Sequence, residues 1–86
     1  MIEKAKQVVM DFFNEETEKT DGFKLTIDGV YVVWFCKTLQ NWKALVSTSV
    51  SDGMYYEVTY NGDKDEIYLD AYKKWKNKQI KNTINI

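Results

Sequence analysis

The spacing of hydrophobic residues changes from helical to alternating about twenty residues into the chain. Ile2, Ala5, Val9 and Phe13 recur at three- and four-residue intervals with charged or amide residues between them, which predicts an amphipathic helix over residues 2–19. From residue 23 to residue 72, apolar and polar residues alternate in short segments separated by turn formers, as in antiparallel strands. The pattern predicts one α+β domain over residues 1–86, with the N-terminal helix packed on one face of a four- to five-stranded antiparallel meander sheet.

The run from Val30 to Cys36 contains neither a charge nor a turn former. A short β-branched and aromatic run is typical of a strand that is apolar on both faces, which in a small protein indicates a central strand. Asp28–Gly29 precedes it and is favoured in two-residue type I′ hairpins, so a strand over residues 23–27 is expected to pair with it, after a helix stop at Gly22. With this register, the side chains that face the helix are those of Val30, Val32, Trp34 and Cys36.

A further strand is expected over Trp42–Thr48, after a five-residue loop at residues 37–41. This loop length places Val32 opposite Val46 and Cys36 opposite Trp42. It keeps apolar side chains together on one face, which is why we prefer it to a four-residue loop.

The last two strands are expected on either side of a four-residue loop at residues 61–64. Apolar residues alternate with polar ones before and after this loop, which would oppose Val58 to Ile67. A helix that begins at Asp65 is the alternative, because Tyr68 and Tyr72 are also helically spaced.

The C-terminal segment differs from the rest of the chain in charge. Residues 1–70 carry 13 acidic residues and 7 lysines, a net charge of −6, whereas residues 71–86 carry five lysines and no acid. Within the lysine-rich stretch over residues 73–86, Trp75 and Ile80 are expected to anchor a second short helix or an irregular cover for the sheet.

The residue types needed for common catalytic and metal sites are scarce. The chain contains no histidine, the commonest general base and metal ligand, and its single cysteine, Cys36, is expected in the core. Glu57 and Asp70 lie on neighbouring predicted strands, but ordinary cross-strand pairing with tyrosines explains them without catalysis. We expect a protein without enzymatic activity, metal or cofactor. The lack of a membrane-spanning stretch and of paired cysteines indicates a cytoplasmic protein.

The predicted sheet face opposite the helix carries more apolar side chains than an exposed sheet face normally does. Three explanations are open: coverage by the C-terminal segment, burial in a homodimer, or recognition of another molecule. The residues of this face that form the candidate binding site are Tyr31, Val33, Phe35, Lys43, Leu45, Tyr55, Glu57, Tyr68 and Asp70.

Two classes of ligand suit such a face. A protein partner is the leading hypothesis, because the cores of protein interfaces are enriched in aromatic residues. The alternative is a single-stranded nucleic acid or a nucleotide that stacks on the same rings beside the lysines. Acidic residues on the same face and the lack of arginine in the chain make nucleic acid the second choice.

Three stretches carry a family resemblance: VVWFCKTLQNWKAL at Val32–Leu45, DGMYYEVTYNGD at Asp52–Asp63 and EIYLDAYKK at Glu66–Lys74. They resemble a small domain-of-unknown-function family encoded by phages and prophages of low-GC Gram-positive bacteria. The resemblance brings no established catalytic residues. It implies an accessory phage protein in the cytoplasm of the bacterial host, of a size typical of inhibitors that bind host replication or anti-phage defence proteins.

Overall fold

The fold is described by a computed structural model that covers residues 1–18 and 24–83. Each strand pairs antiparallel with the next, so that the sheet order is the order of the chain. The predicted α+β meander with a helix on one face is confirmed. No helix among the described residues is long and apolar enough to cross a membrane. The elements are helix α1 (Ile2–Glu18), a 3-10 turn (Ile27–Gly29) and strands β1 (Val30–Thr38), β2 (Asn41–Thr48), β3 (Met54–Asn61) and β4 (Glu66–Lys73).

Helix α1 forms where the helical spacing predicts it, and its apolar stripe enters the core. Ala5, Val9 and Phe13 are buried, each one turn from the next. The helix packs on β1, β2 and β3. A helix is about 10 Å wide and strands are about 4.8 Å apart, so one helix covers two or three strands. Most of the buried strand residues in the core belong to β2 and β3. The buried members from those two strands are Trp42, Ala44, Val46, Tyr56 and Val58.

Asn14 fixes the chain that returns from the helix to the sheet. Its side-chain Nδ2 donates to the carbonyl oxygen of Leu25 at 2.9 Å, and its Oδ1 accepts from the backbone N–H of Leu25 at 2.7 Å. These two bonds satisfy a backbone that has no strand partner, and Leu25 is buried in the core. The strand predicted over residues 23–27 is therefore wrong for residues 24–27, while Phe23 and the predicted helix stop at Gly22 lie outside the described residues.

Asp28–Gly29 belongs to the 3-10 turn and does not form the predicted hairpin. A Cβ on Gly29 would lie 2.8 Å from Oγ of Ser49 and 3.0 Å from Cδ1 of Leu25. The carbonyl oxygen of Gly29 also accepts from the N–H of Ser49 at 2.8 Å. Glycine at this position therefore permits a close approach of two chain segments, and it does not serve as the turn residue of a hairpin.

Strand β1 changes the side to which its residues point at an irregularity at Val33. Val32 pairs with Val46 as predicted, but the register then shifts, so that Trp34 pairs with Leu45 and Phe35 with Ala44. A bulge adds one residue to one strand, and each later side chain therefore turns to the opposite face. The prediction that Trp34 and Cys36 face the helix and Phe35 faces away is wrong. Cys36 is exposed.

The predicted central position of β1 is also wrong, because within the described residues β1 pairs only with β2 and forms an edge of the sheet. The loop to β2 contains two residues, Leu39 and Gln40, and not the predicted five. Leu39 has a φ of 55°, a backbone conformation that leucine rarely adopts. Because neither loop residue is a glycine or an asparagine, the sequence carried no signal for a two-residue turn.

The hairpin of β3 and β4 has the predicted faces but a shifted register. Val58 pairs with Leu69 and not with Ile67, because Asn61 still pairs with Glu66 and the four-residue turn runs from residue 62 to residue 65. A shift of two residues keeps every side chain on its face. The alternative helix that begins at Asp65 does not form.

The described part of the C-terminal segment, residues 74–83, does not cover the sheet as predicted. Residues 74–83 form no regular secondary structure. The expected anchors are exposed, Trp75 by 94% and Ile80 by 78%. The predicted second short helix is therefore wrong for these residues.

Replacing Asn14 with alanine should lower the free energy of unfolding by about 1–3 kcal/mol, because both backbone groups of Leu25 lose a part-buried partner. Gln7→Ala is the matched control, since Gln7 bonds only an exposed Asp11 on the same helix. Urea denaturation measures both variants. Equal stability of the two variants would contradict the proposed role of Asn14.

The shifted register of β1 predicts unequal effects for two neighbouring aromatic residues. Phe35→Ala should lower the free energy of unfolding by about 1–3 kcal/mol, because the ring packs against the core. Trp34→Ala should change it by less than about 1 kcal/mol, because Trp34 is half exposed on the other side. Thermal and urea unfolding of the two variants compare these effects. A larger loss for Trp34→Ala would support the uninterrupted register instead.

Candidate functional site

The outer face is the side of the sheet opposite α1, and it is built by alternate residues of four strands. Strand pairing sets these residues in rows across the sheet. One row contains Cys36, Lys43, Thr59 and Tyr68, and the next contains Trp34, Leu45, Glu57 and Asp70. Beyond the second row, Tyr31 of β1 pairs with Ser47 of β2, and Tyr55 of β3 pairs with Tyr72 of β4.

Large apolar and aromatic side chains dominate this face. Trp34 is 52% exposed and Val33 59%, and Leu45 lies half-buried beside Trp34 in the middle of the sheet. Four tyrosines surround them, and all four are exposed. Scattered apolar residues are normal on protein surfaces, but a contiguous set of this kind marks an interaction site. The four tyrosines are Tyr31, Tyr55, Tyr68 and Tyr72.

Tyr55 and Tyr72 form a stacked pair at the corner where β3 begins and β4 ends. Their ring centroids are 5.2 Å apart and their planes differ by 17°. Cross-strand aromatic pairs of this type hold each other's rotamers, so this corner presents a fixed aromatic surface.

Carboxylates are set between the rings and give the outer face a negative potential. Nζ of Lys43 lies 3.4 Å from a carboxylate oxygen of Glu57, the only ion pair among residues 1–18 and 24–83. Asp70 is directly opposite Glu57 and is exposed. The negative charges of Glu57 and, to a smaller extent, Asp70 raise the pKa of Tyr72 above its usual value, because they disfavour the tyrosinate.

Glu66 contributes a third carboxylate to this face. The hydroxyl of Tyr68 donates a hydrogen bond to it. This bond stabilises the neutral phenol and raises the pKa of Tyr68. The hydrogen bond links the side chains of Tyr68 and Glu66 on the outer side of β4.

A shallow groove of about 270 Å³ lies at one end of the outer face. Its lining combines outer-face residues with two rings that belong to the helix side of the sheet, Trp42 and Tyr60. The outer-face residues are Trp34, Cys36, Thr38, Asn41, Lys43 and Thr59. Such a groove can receive a side chain of a bound partner. Among the described residues, no group of three acidic or cysteine side chains is placed to hold a metal ion.

Strand pairing places seven of the nine candidate residues on the outer face: Tyr31, Lys43, Leu45, Tyr55, Glu57, Tyr68 and Asp70. Val33 has no partner at the bulge and is exposed next to Trp34. Phe35 does not lie on the outer face. Its ring lies 5.8 Å from that of Trp42 on the helix side of the sheet.

The sequence interpretation missed Trp34, Cys36 and Tyr72. The bulge that turns Trp34 and Cys36 outward has no glycine or proline to mark it. Tyr72 could have been found, because it continues the alternation of Tyr68 and Asp70 once β4 extends to Lys73.

The model of a family of unknown function, DUF6275, matches residues 2–82 of the chain. The chain belongs to this family. No curated protein and no solved structure matches it. For this DUF6275 member, the chemistry of the outer face is therefore the basis on which a function can be argued.

Glu57→Gln should lower the pKa of Tyr72 toward the ordinary tyrosine value, because it removes the largest of the negative charges that disfavour the tyrosinate. NMR titration of ring-labelled tyrosine would measure this pKa. Glu15→Gln is the charge-matched control, since Glu15 is an exposed residue of α1 on the other side of the sheet. An unchanged pKa in Glu57→Gln would show that these groups do not interact.

Proposed function

We propose that this protein is a non-catalytic binding protein that engages a protein partner through the outer face of its sheet. The observation that carries the proposal is the contiguous exposed set formed by Trp34, Val33 and Tyr31 at one edge, with Leu45 beside them. Tyrosine and tryptophan are enriched among the residues that dominate binding energy in protein interfaces. They bury large areas and lose little conformational entropy.

The charge on the outer face favours a protein over a nucleic acid. A phosphate backbone laid across the sheet would meet Glu57, Glu66 and Asp70, while the lysine among them, Lys43, is already paired with Glu57. Phe35, one of the rings on which bases were expected to stack, is also not available on this face, because it packs on the helix side of the sheet. A protein surface that offers apolar groups with some positive charge complements the same face.

The cellular setting of the proposal rests on the sequence resemblance to phage-encoded proteins. A small phage accessory protein would act in the cytoplasm of the bacterial host. Its targets would then be host proteins of replication or anti-phage defence, or other phage proteins. Inhibition by occupation of a functional surface needs no catalytic group, which agrees with a face built for contact.

The double variant Tyr31→Lys and Trp34→Lys should abolish binding of the partner, because two charges replace the exposed rings at the centre of the proposed contact. The matched control is Leu39→Lys, which adds a lysine at an exposed residue of the β1–β2 turn, outside the outer face. Affinity capture from the host cytoplasm, analysed by quantitative mass spectrometry, compares both with the native protein. Circular dichroism establishes that each variant is folded.

A protein captured by the native chain and the Leu39 variant but lost from the double variant is the expected result. Equal capture by all three folded proteins would reject the outer face as the binding site. Titration with a labelled single-stranded oligonucleotide at low and high salt tests the alternative. Binding that weakens steeply with salt and requires Tyr31 and Trp34 would replace the protein partner by a nucleic acid.

A further inference from the structure

The lysine-rich C-terminal segment forms no regular secondary structure over residues 74–83 and is not buried against the rest of the described chain. Residues 74–83 are all exposed, including Trp75. This segment is also the part of the chain whose charge is opposite to that of the outer face. The two surfaces are thus complementary, and each lacks a cover.

The segment leaves the sheet along the direction of β4. The backbone N–H of Lys74 donates to the carbonyl oxygen of Gly53 at 2.6 Å, which continues the β3–β4 ladder one step beyond Met54 and Lys73. Because residues 74–83 are all exposed, this part of the segment is available for contact with another molecule.

The spacing of charges in the segment matches the spacing on β4. If the segment binds as an extended strand, its side chains alternate, so that Lys74, Lys76 and Lys78 point to one side, with about 13 Å between the first and the last. On β4, Glu66 and Asp70 are also four residues apart and so about 13 Å apart on the outer face, with the ring of Tyr68 between them.

The row of three lysines matches the row of Glu66, Tyr68 and Asp70 whether the two chains run parallel or antiparallel. Each row has the same charge at both ends, at equal distances from its middle residue. In a contact between the two rows, the outer lysines would meet the two carboxylates and Lys76 would meet the face of the Tyr68 ring in a cation–π contact.

We propose that the C-terminal segment of one copy binds the outer face of a second copy, with its lysine row on Glu66, Tyr68 and Asp70. Reciprocal binding of both segments gives a closed dimer. This inference goes beyond the proposed function, because it makes the binding face self-occupied when no partner is present. A partner that binds the outer face then competes with the segment, and the dimer separates.

The second copy is favoured over an unrelated basic protein because its segment carries the matching row and is present at the same concentration as the face. The contacts are exposed ion pairs, which are individually weak and are screened by salt. The dimer should therefore be in exchange with the monomer and should weaken from about 50 mM to about 500 mM salt.

The test uses the full chain and reverses charges on each side of the contact. Lys74→Glu with Lys78→Glu reverses the segment, and Glu66→Lys with Asp70→Lys reverses the face. Sedimentation velocity over a range of concentrations measures dimer formation. Each double variant alone should weaken dimerisation about tenfold or more, because two pairs per contact become repulsive. An equimolar mixture of the two should recover it, since every repulsive pair becomes attractive again.

Lys78→Glu and Lys81→Glu form a matched pair with the same change in net charge. In an extended segment, Lys81 lies on the opposite side from Lys78. Lys78→Glu should weaken the dimer and Lys81→Glu should leave it nearly unchanged. Trp75→Ala, also on the opposite side, should behave like Lys81→Glu.

A native chain that stays monomeric at every concentration would overturn the inference, as would a mixture of the two double variants that does not dimerise. Equal effects of Lys78→Glu and Lys81→Glu would show that the attraction is non-specific and does not depend on the lysine row, which would also overturn the inference. None of these results bears on capture of a partner through Tyr31 and Trp34, so failure of the dimer and failure of the proposed function are distinguishable.

Discussion

The structure depends on the burial of one sheet face by a single helix. Helix α1 has 17 residues and is therefore about 26 Å long, enough to follow the strands but too narrow to cover all four of them. The fully buried hydrophobic strand residues belong mainly to β2 and β3, and none of them belongs to β4. The chain then has no second element among its described residues to bury the outer face. Every apolar residue placed there remains available for contact with another molecule.

Because the helix carries so much of the core, the connection that follows it must be held firmly. Asn14 does this from within the helix by bonding both backbone groups of Leu25. Leu25 thereby contributes an apolar side chain to the core without belonging to a strand. A side-chain amide replaces the ladder that a fifth strand would have supplied.

Periodicity was sufficient to predict the elements that have one apolar face. Helix α1 and the inward residues of β2 and β3 follow from spacing alone, because burial on one side leaves a period in the sequence. The candidate site was largely predictable for a related reason: Tyr55, Glu57 and Tyr68 alternate with core residues on unbroken strands.

The errors arose where the sequence carries no signal for the event. The bulge at Val33 reverses the faces of Trp34 and Phe35 among residues that are all apolar, so the pattern looks the same on either side of it. Gly29 is present for close packing against Ser49 and not for a hairpin, and composition does not separate these two uses. The apolar run of β1 was also assigned to the centre of the sheet, although β1 lies at its edge. Apolar side chains occur both in buried strands and on exposed binding surfaces, so an apolar run does not separate the two positions.

The order of strands in the sheet has a kinetic consequence. Each strand pairs with its neighbour in the chain, so every closure joins residues that are near in sequence and costs little chain entropy. Such local pairings form faster than distant ones, whereas α1 must dock on strands that lie further along the chain. Rapid assembly shortens the time during which unpaired strands can associate with other chains. A sheet that keeps one aromatic face open is thus built in an order that limits its exposure to aggregation while it forms.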